Sequence, residues 1–153
     1  MRIILMRELL LAEARDAALK AYAPYSKFRV GAAVRVVTPD GHSHIVTGVN
    51  VENAAFGLTL CAERNALAAA CTTYSILPIG LHREHIAEKP TITHVAVACI
   101  DAPPDALANQ RTPCGACRQW FAELAPGATF YVDEIDQDLE LDDLLPLAFG
   151  LDQ

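Results

Sequence analysis

The chain has 153 residues, 52% hydrophobic and 20% charged, which fills the core of one domain and leaves too little for two. Against 12 Lys and Arg stand 19 Asp and Glu, a formal net charge of −7, and the basic residues are scattered. Gripping a phosphate backbone takes clustered positive charge, so the balance argues against nucleic acid and for a small, uncharged ligand.

The apolar run at residues 1–6 is cut by Arg7 and Glu8 before it reaches the ~7–15 residues of a secretory core. No stretch approaches the ~20 apolar residues of a membrane span. The chain therefore reads as cytoplasmic. Five cysteines, an odd number without an export signal, argue against a disulfide framework and for buried thiols, metal ligands or nucleophiles.

Residues 5–23 read as a first helix, ended by Pro24. It has two apolar faces, Leu5, Leu9, Ala12 and Leu19 on one side and Leu10, Ala14, Ala17 and Ala21 on the other. A helix apolar nearly all round is covered on both sides, which points to a subunit contact. Residues 30–37, rich in Val and Ala, form a strand. Thr38-Pro39-Asp40-Gly41 is a turn, and residues 45–51 return as the partner strand of a hairpin. Residues 62–74 carry strong helix formers. The continuous apolar run at 92–100 reads as a strand buried on both faces. Residues 114–125 form a helix stopped by Pro126-Gly127, and 129–132 a last strand. This alternation of helices and strands predicts an α/β layering.

The chemistry concentrates at two loop-to-helix junctions, Cys61-Ala62-Glu63-Arg64 and Pro113-Cys114-Gly115-Ala116-Cys117. At a helix start, free N–H groups and the dipole favour a thiolate. Cys114 and Cys117, three apart on one turn, face the same way and can grip one metal ion. Cys71 lies ten residues beyond Cys61 on the same helix, roughly 15 Å along its axis at ~1.5 Å per residue, and cannot share that metal. Cys99, inside the apolar strand, reads as a buried filler. Three ligands and an open position are the arrangement of a catalytic rather than a structural zinc. Glu63, two residues from Cys61, is placed to take a proton from an activated water and deliver it elsewhere. Three thiolates overcompensate Zn²⁺, and Arg64 with the two helix N-termini can withdraw charge from the sulfurs. The histidines at 42, 44, 82, 85 and 94 have no ligand partner and read as surface or loop residues.

These residues resemble the cytidine deaminases. The resemblance is carried by Pro24-Tyr25-Ser26-Lys27-Phe28-Arg29-Val30-Gly31-Ala32-Ala33, Gly48-Val49-Asn50-Val51-Glu52-Asn53-Ala54, Cys61-Ala62-Glu63-Arg64 and Pro113-Cys114-Gly115-Ala116-Cys117-Arg118-Gln119. Leu144-Leu145-Pro146-Leu147-Ala148-Phe149-Gly150 adds to it, so the matches run in family order over nearly the whole chain. The resemblance implies a three-layer α/β sandwich with a mixed sheet of five strands. It implies one Zn²⁺ per chain on Cys61, Cys114 and Cys117, Glu63 as proton shuttle, attack at C4 of the cytosine ring and loss of ammonia. Asn50 and Glu52 would hold the ribose hydroxyls and Phe28 would pack on the base. Phe149 would come from a neighbouring subunit of a homotetramer, and the role would be pyrimidine salvage from cytidine and deoxycytidine. Two departures bear on substrate range: Phe56 stands where the family often has tyrosine, and the segment 75–90 is longer than usual.

Three other readings stand beside this one. A deaminase of modified cytosine nucleosides of the blasticidin type shares the zinc motifs but tends to lack Asn50-x-Glu52-Asn53 and Arg64. A thiol–disulfide oxidoreductase would use Cys114-Gly115-Ala116-Cys117 and leave Cys61 and Glu63 unexplained. A structural zinc module would need a fourth ligand.

Overall fold

The computed structural model describes residues 2–76 and 89–150, with side chains from residue 5 onward. The elements are α1 (Arg2–Ala18), β1 (Val30–Val37), β2 (Ser43–Val49), α2 (Ala62–Tyr74), β3 (Thr91–Cys99), α3 (Gly115–Leu124), β4 (Thr129–Val132) and a single turn of helix, α4 (Leu141–Leu144).

Alternation along the strands builds two cores. Ala32, Val34 and Val36 of β1 and Val95 and Val97 of β3 point to one face, against Ala66, Leu67 and Ala70 of α2 and Phe121 of α3. Ala33, Ala96 and Ala98 point to the other, where Leu10, Leu11 and Ala14 of α1 close over Tyr131. The sheet is thus the middle of three layers. Its order is β2-β1-β3-β4, with β1 antiparallel to both neighbours and β4 parallel to β3.

The sheet has four strands among the described residues, not the five expected. Beyond β4 the chain meets Asp133, Glu134, Asp136 and Asp138, which suit strands poorly, and Glu134 turns it through a left-handed φ of 62°. The return makes one antiparallel bridge, Phe130 to Leu139, and enters α4 at once.

Helix α1 ends at Ala18, five residues short of the expected end at Ala23. Tertiary pairing overrides the helix propensity of 19–21: the Tyr22 N–H donates to the Asn50 carbonyl at 3.0 Å, and Glu52 N–H to the Tyr22 carbonyl at 2.8 Å. Of the two apolar faces, Leu10, Ala14 and Ala17 are buried on the sheet, whereas Leu5 and Leu9, and Leu19 just past the helix end, are exposed on this chain. The long segment at 75–90 and His82 and His85 lie largely or wholly outside the described residues. No helix among the described residues is long and apolar enough to cross a membrane.

Two glycines let the helices sit directly on the sheet. A Cβ at Gly31 would lie 2.0 Å from the Ala14 carbonyl of α1, and one at Gly48 would lie 2.3 Å from Ala66 N and 2.4 Å from Ala62 O of α2. The second contact fixes the height of α2, and so of the residues at its start, above the hairpin.

Candidate active site

Helices α2 and α3 both begin with cysteine. Cys61 and Cys114 are the N-cap residues, in extended conformation, and Cys117 lies on the first turn of α3. Packing α2 and α3 on one face of the sheet brings their N-termini together. The Sγ atoms of Cys61 and Cys114 are 3.9 Å apart, those of Cys114 and Cys117 are 3.6 Å apart, and all three lie within 4.8 Å of one another. Four ligands at the Zn–S distance of about 2.3 Å in a tetrahedron would place sulfurs about 3.8 Å apart. Two edges of the triangle already match, so the thiols fit a zinc ion. Among the described residues this is the one cluster with metal-ligand geometry, and it contains no fourth protein ligand and no histidine.

The thiols share protons unequally. Donation from Cys117 outweighs the burial that pushes Cys61 up, and with Arg64 and Cys114 it holds the Cys61 thiol down to about 5. Cys117 is pushed up, first by that same contact with Cys61, then by burial and the charge of Glu63. Arg64 reaches back along the first turn of α2, donating to the Thr59 carbonyl at 2.9 Å and lying 3.6 Å from Cys61 Sγ. A guanidinium there withdraws charge from the sulfur.

Glu63 is 5% exposed. Burial, reinforced by the nearby charge of Cys61, pushes its carboxyl up to about 7. A carboxyl that changes protonation near neutrality is suited to taking and returning a proton.

Cys61, Cys114 and Glu63 face a cleft of about 190 Å³ whose walls include Phe28, Val30, Asn50, Thr59, Val97 and Cys99 and, from the loop before α3, Gln110, Arg111 and Thr112; Cys117 is buried behind them. Asn50 is buried and spends both ends of its amide on the backbone: Oδ1 accepts from Val30 N–H at 2.8 Å and Nδ2 donates to the Phe28 carbonyl at 2.9 Å. It thereby fixes the wall that carries Phe28. Glu52 lies beside the cleft rather than in it, with Oε2 accepting from the Tyr25 and Ser26 N–H groups at 2.8 and 3.2 Å. Phe149 is 70% exposed and stands outside the cleft of its own chain, its carbonyl held by Gln119 at 2.9 Å. Phe56 packs edge-on against Tyr25, ring centres 6.0 Å apart. A larger, more open depression of about 390 Å³ lies by Tyr22 and Lys27; its Arg29 and Asp101 are bonded to each other at 2.7 Å, and no thiol lines it.

Two wall residues were not legible as such in the sequence. Cys99 is buried as a strand thiol should be, yet it also lines the cleft, where burial and then Glu63 push it up to about 12. Arg111 is 5% exposed and donates to the Pro103 carbonyl at 2.7 Å. Its only sequence signal is its place three residues before Cys114.

Residues 6–132 match the family model for the cytidine and deoxycytidylate deaminase zinc-binding region. The chain belongs to the cytidine and deoxycytidylate deaminases. All three clustered cysteines and Glu63 fall inside the matched span. The chain is similar to a cytidine deaminase of Mycobacterium tuberculosis, 41% identical over 144 residues, covering 94% of this chain and 90% of that one. A cytidine deaminase of Halalkalibacterium halodurans is 37% identical over 147 residues, covering 94% and 93%. Among solved structures, the cytidine deaminase of Burkholderia pseudomallei superposes with a TM-score of 0.68 at 39% identity, covering 93% of this chain and 98% of that one. That of Mycobacterium tuberculosis superposes at 0.66 with 33% identity, covering 94% and 97%.

Proposed function

We propose that the chain is a zinc-dependent hydrolase that converts cytidine and 2′-deoxycytidine to uridine and 2′-deoxyuridine, consuming water and releasing ammonia. The observation that carries this is the thiol triangle, with edges of 3.9 and 3.6 Å, two of whose thiols line one cleft together with the buried Glu63. Cys61, Cys114 and Cys117 hold one zinc ion per chain. When bound, zinc supplies Lewis acidity and an open coordination position that makes water a strong nucleophile near neutral pH.

The chain's own groups do the rest. Glu63 takes the proton of the attacking water and passes it to the departing amino group, so its carboxyl is unchanged at the end of the cycle. Arg64 and the two helix N-termini draw charge from the sulfurs. Phe28 packs on the cytosine ring, while Asn50 and Glu52 bind the sugar hydroxyls with the hydrogen-bonding capacity left after their backbone contacts. Phe149 reaches the site of a neighbouring subunit in a homotetramer, a reading supported by its exposure here and by the uncovered Leu5 and Leu9 of α1 and Leu19 just beyond it. The physiological role is pyrimidine salvage in the cytoplasm.

The redox reading is less well supported, because Cys61 and Glu63 complete a site that a dithiol alone does not need. The test is turnover of cytidine by the purified protein together with its zinc content. Turnover with about one zinc per chain supports the reading; zinc without turnover on cytidine or deoxycytidine moves the substrate to a modified nucleoside.

A further inference from the structure

The loop that delivers Cys114 to the thiol triangle has no secondary structure of its own between Arg111 and Cys114, yet Thr112 and Cys114 form part of the cleft wall. One side chain ties it down. Arg118, on the second turn of α3, folds back toward the helix start. Its Nε donates to the Pro113 carbonyl at 2.7 Å, one terminal nitrogen to Thr112 Oγ1 at 3.0 Å and the other to the Leu144 carbonyl at 2.6 Å. All three acceptors are neutral, and no carboxylate lies within ion-pair distance of it among the described residues. Such a fork of fixed N–H directions sets geometry as well as contributing energy, which a lysine cannot do. The Leu144 carbonyl, at the end of the single turn α4, has no intrahelical N–H to accept from and so takes a side-chain donor.

We propose that Arg118 is a positioning residue for the zinc site: it clamps Thr112 and Pro113 between α3 and the C-terminal segment, and so sets where Cys114 stands relative to Cys61 and Cys117. The neighbouring Gln119 donates its one side-chain hydrogen bond among the described residues to the Phe149 carbonyl, and so fastens the same C-terminal segment further along. The two adjacent residues therefore divide the work, Arg118 serving the metal ligands and Gln119 the tail. The zinc arm of this proposal rests on the assignment of Cys61, Cys114 and Cys117 as ligands; its thiol arm does not.

The test uses Arg118→Met, which keeps the aliphatic stem and removes every donor, with Arg118→Lys and Gln119→Ala beside it. In zinc-loaded protein, transfer of zinc to a chromogenic chelator should be at least tenfold faster in Arg118→Met than in wild type. It should be intermediate in Arg118→Lys and unchanged in Gln119→Ala. Thr112→Val should speed release in the wild-type background and add nothing in Arg118→Met. In metal-free protein, well below unfolding, alkylation of the buried Cys117 should rise at least tenfold in Arg118→Met. Cys71, remote on α2, serves as an internal reference and should not change. Cys117 and Cys71 rising together would mean a general loosening and overturn the proposal, as would release and alkylation at wild-type rates. If wild type holds no zinc, the zinc assignment fails, and the ratio of Cys117 to Cys71 alkylation still decides whether Arg118 positions the loop.

Discussion

Gly48→Ala should damage the site from the far side of α2. The added Cβ would lie 2.3 Å from Ala66 N and 2.4 Å from Ala62 O, both backbone atoms, so no rotamer change relieves the clash. Carbon contacts are comfortable at about 3.5 Å, so the helix must retreat by about 1 Å. Overpacking of this kind costs about 1–3 kcal/mol, which in a chain of this size lowers Tm by about 2–12 °C. The start of α2 carries Cys61 and Glu63, and a displacement of about 1 Å in a reacting group can cost on the order of 10²-fold in rate. Gly31→Ala is the matched comparison: its Cβ would strike the Ala14 carbonyl at 2.0 Å, but α1 lies on the opposite face of the sheet. Both variants should melt earlier, and only Gly48→Ala should lose kcat/KM for cytidine by ten- to a hundredfold, measured well below its Tm. Gly57→Ala, with nothing within 4 Å of its Cβ, should match wild type in both assays. Wild-type kcat/KM in Gly48→Ala, or equal losses in Gly31→Ala, would refute the idea that this contact sets the site.

Three further outcomes are expected. Glu63, raised from an ordinary carboxyl value to about 7 in the metal-free protein, contributes stability that is fully present below pH about 4.5 and is lost as pH rises through 7. Metal-free Glu63→Gln should therefore be more stable than metal-free wild type at pH 8.5, by about 2–4 kcal/mol, and gain nothing below pH 4; denaturant melts at the two pH values check this. Arg64→Ala should raise the pH at which Cys61 alkylates in metal-free protein and shift the pH profile of turnover; an unchanged profile and rate would sink the role given to the guanidinium. Cys71→Ser, far from the triangle and held up only by burial, should keep full zinc content and turnover, and a loss of zinc by elemental analysis would overturn the three-cysteine assignment.

What the sequence revealed depended on how local the cause was. Cys61 and Cys114 each sit where a loop becomes a helix, and local propensity places such boundaries well: both came out as N-caps, with Cys117 on the turn that follows. The two apolar faces read in the first helix separate in the structure, Leu10 and Ala14 on the sheet and Leu5 and Leu9 exposed on this chain, a division the sequence did not assign. Non-local causes did not show. The early end of α1 follows from Tyr22 pairing with Asn50 and Glu52, about thirty residues on, which no local pattern encodes. Among the described residues no fifth strand forms: residues 133–138 beyond β4 are rich in acidic side chains and turn at once, leaving a single bridge. Asn50 and Glu52 were read for the sugar, and the structure adds a prior task for both, the bracing of residues 25–30 that carry Phe28. Cys99 read as filler because a strand thiol gives no sign of which cavity its strand will border. The Arg118 clamp was likewise invisible, since two of its three acceptors are backbone carbonyls.

The central claim is most directly tested by following the loss of cytidine absorbance with purified protein and Glu63→Gln in parallel, each assayed for zinc. The account predicts rapid turnover by wild type, about one zinc per chain in both proteins, and turnover in Glu63→Gln reduced by at least a thousandfold. Full zinc with undiminished turnover in Glu63→Gln would contradict the role of the buried carboxylate, and cytidine turnover by wild type without zinc would contradict the role of the three thiols.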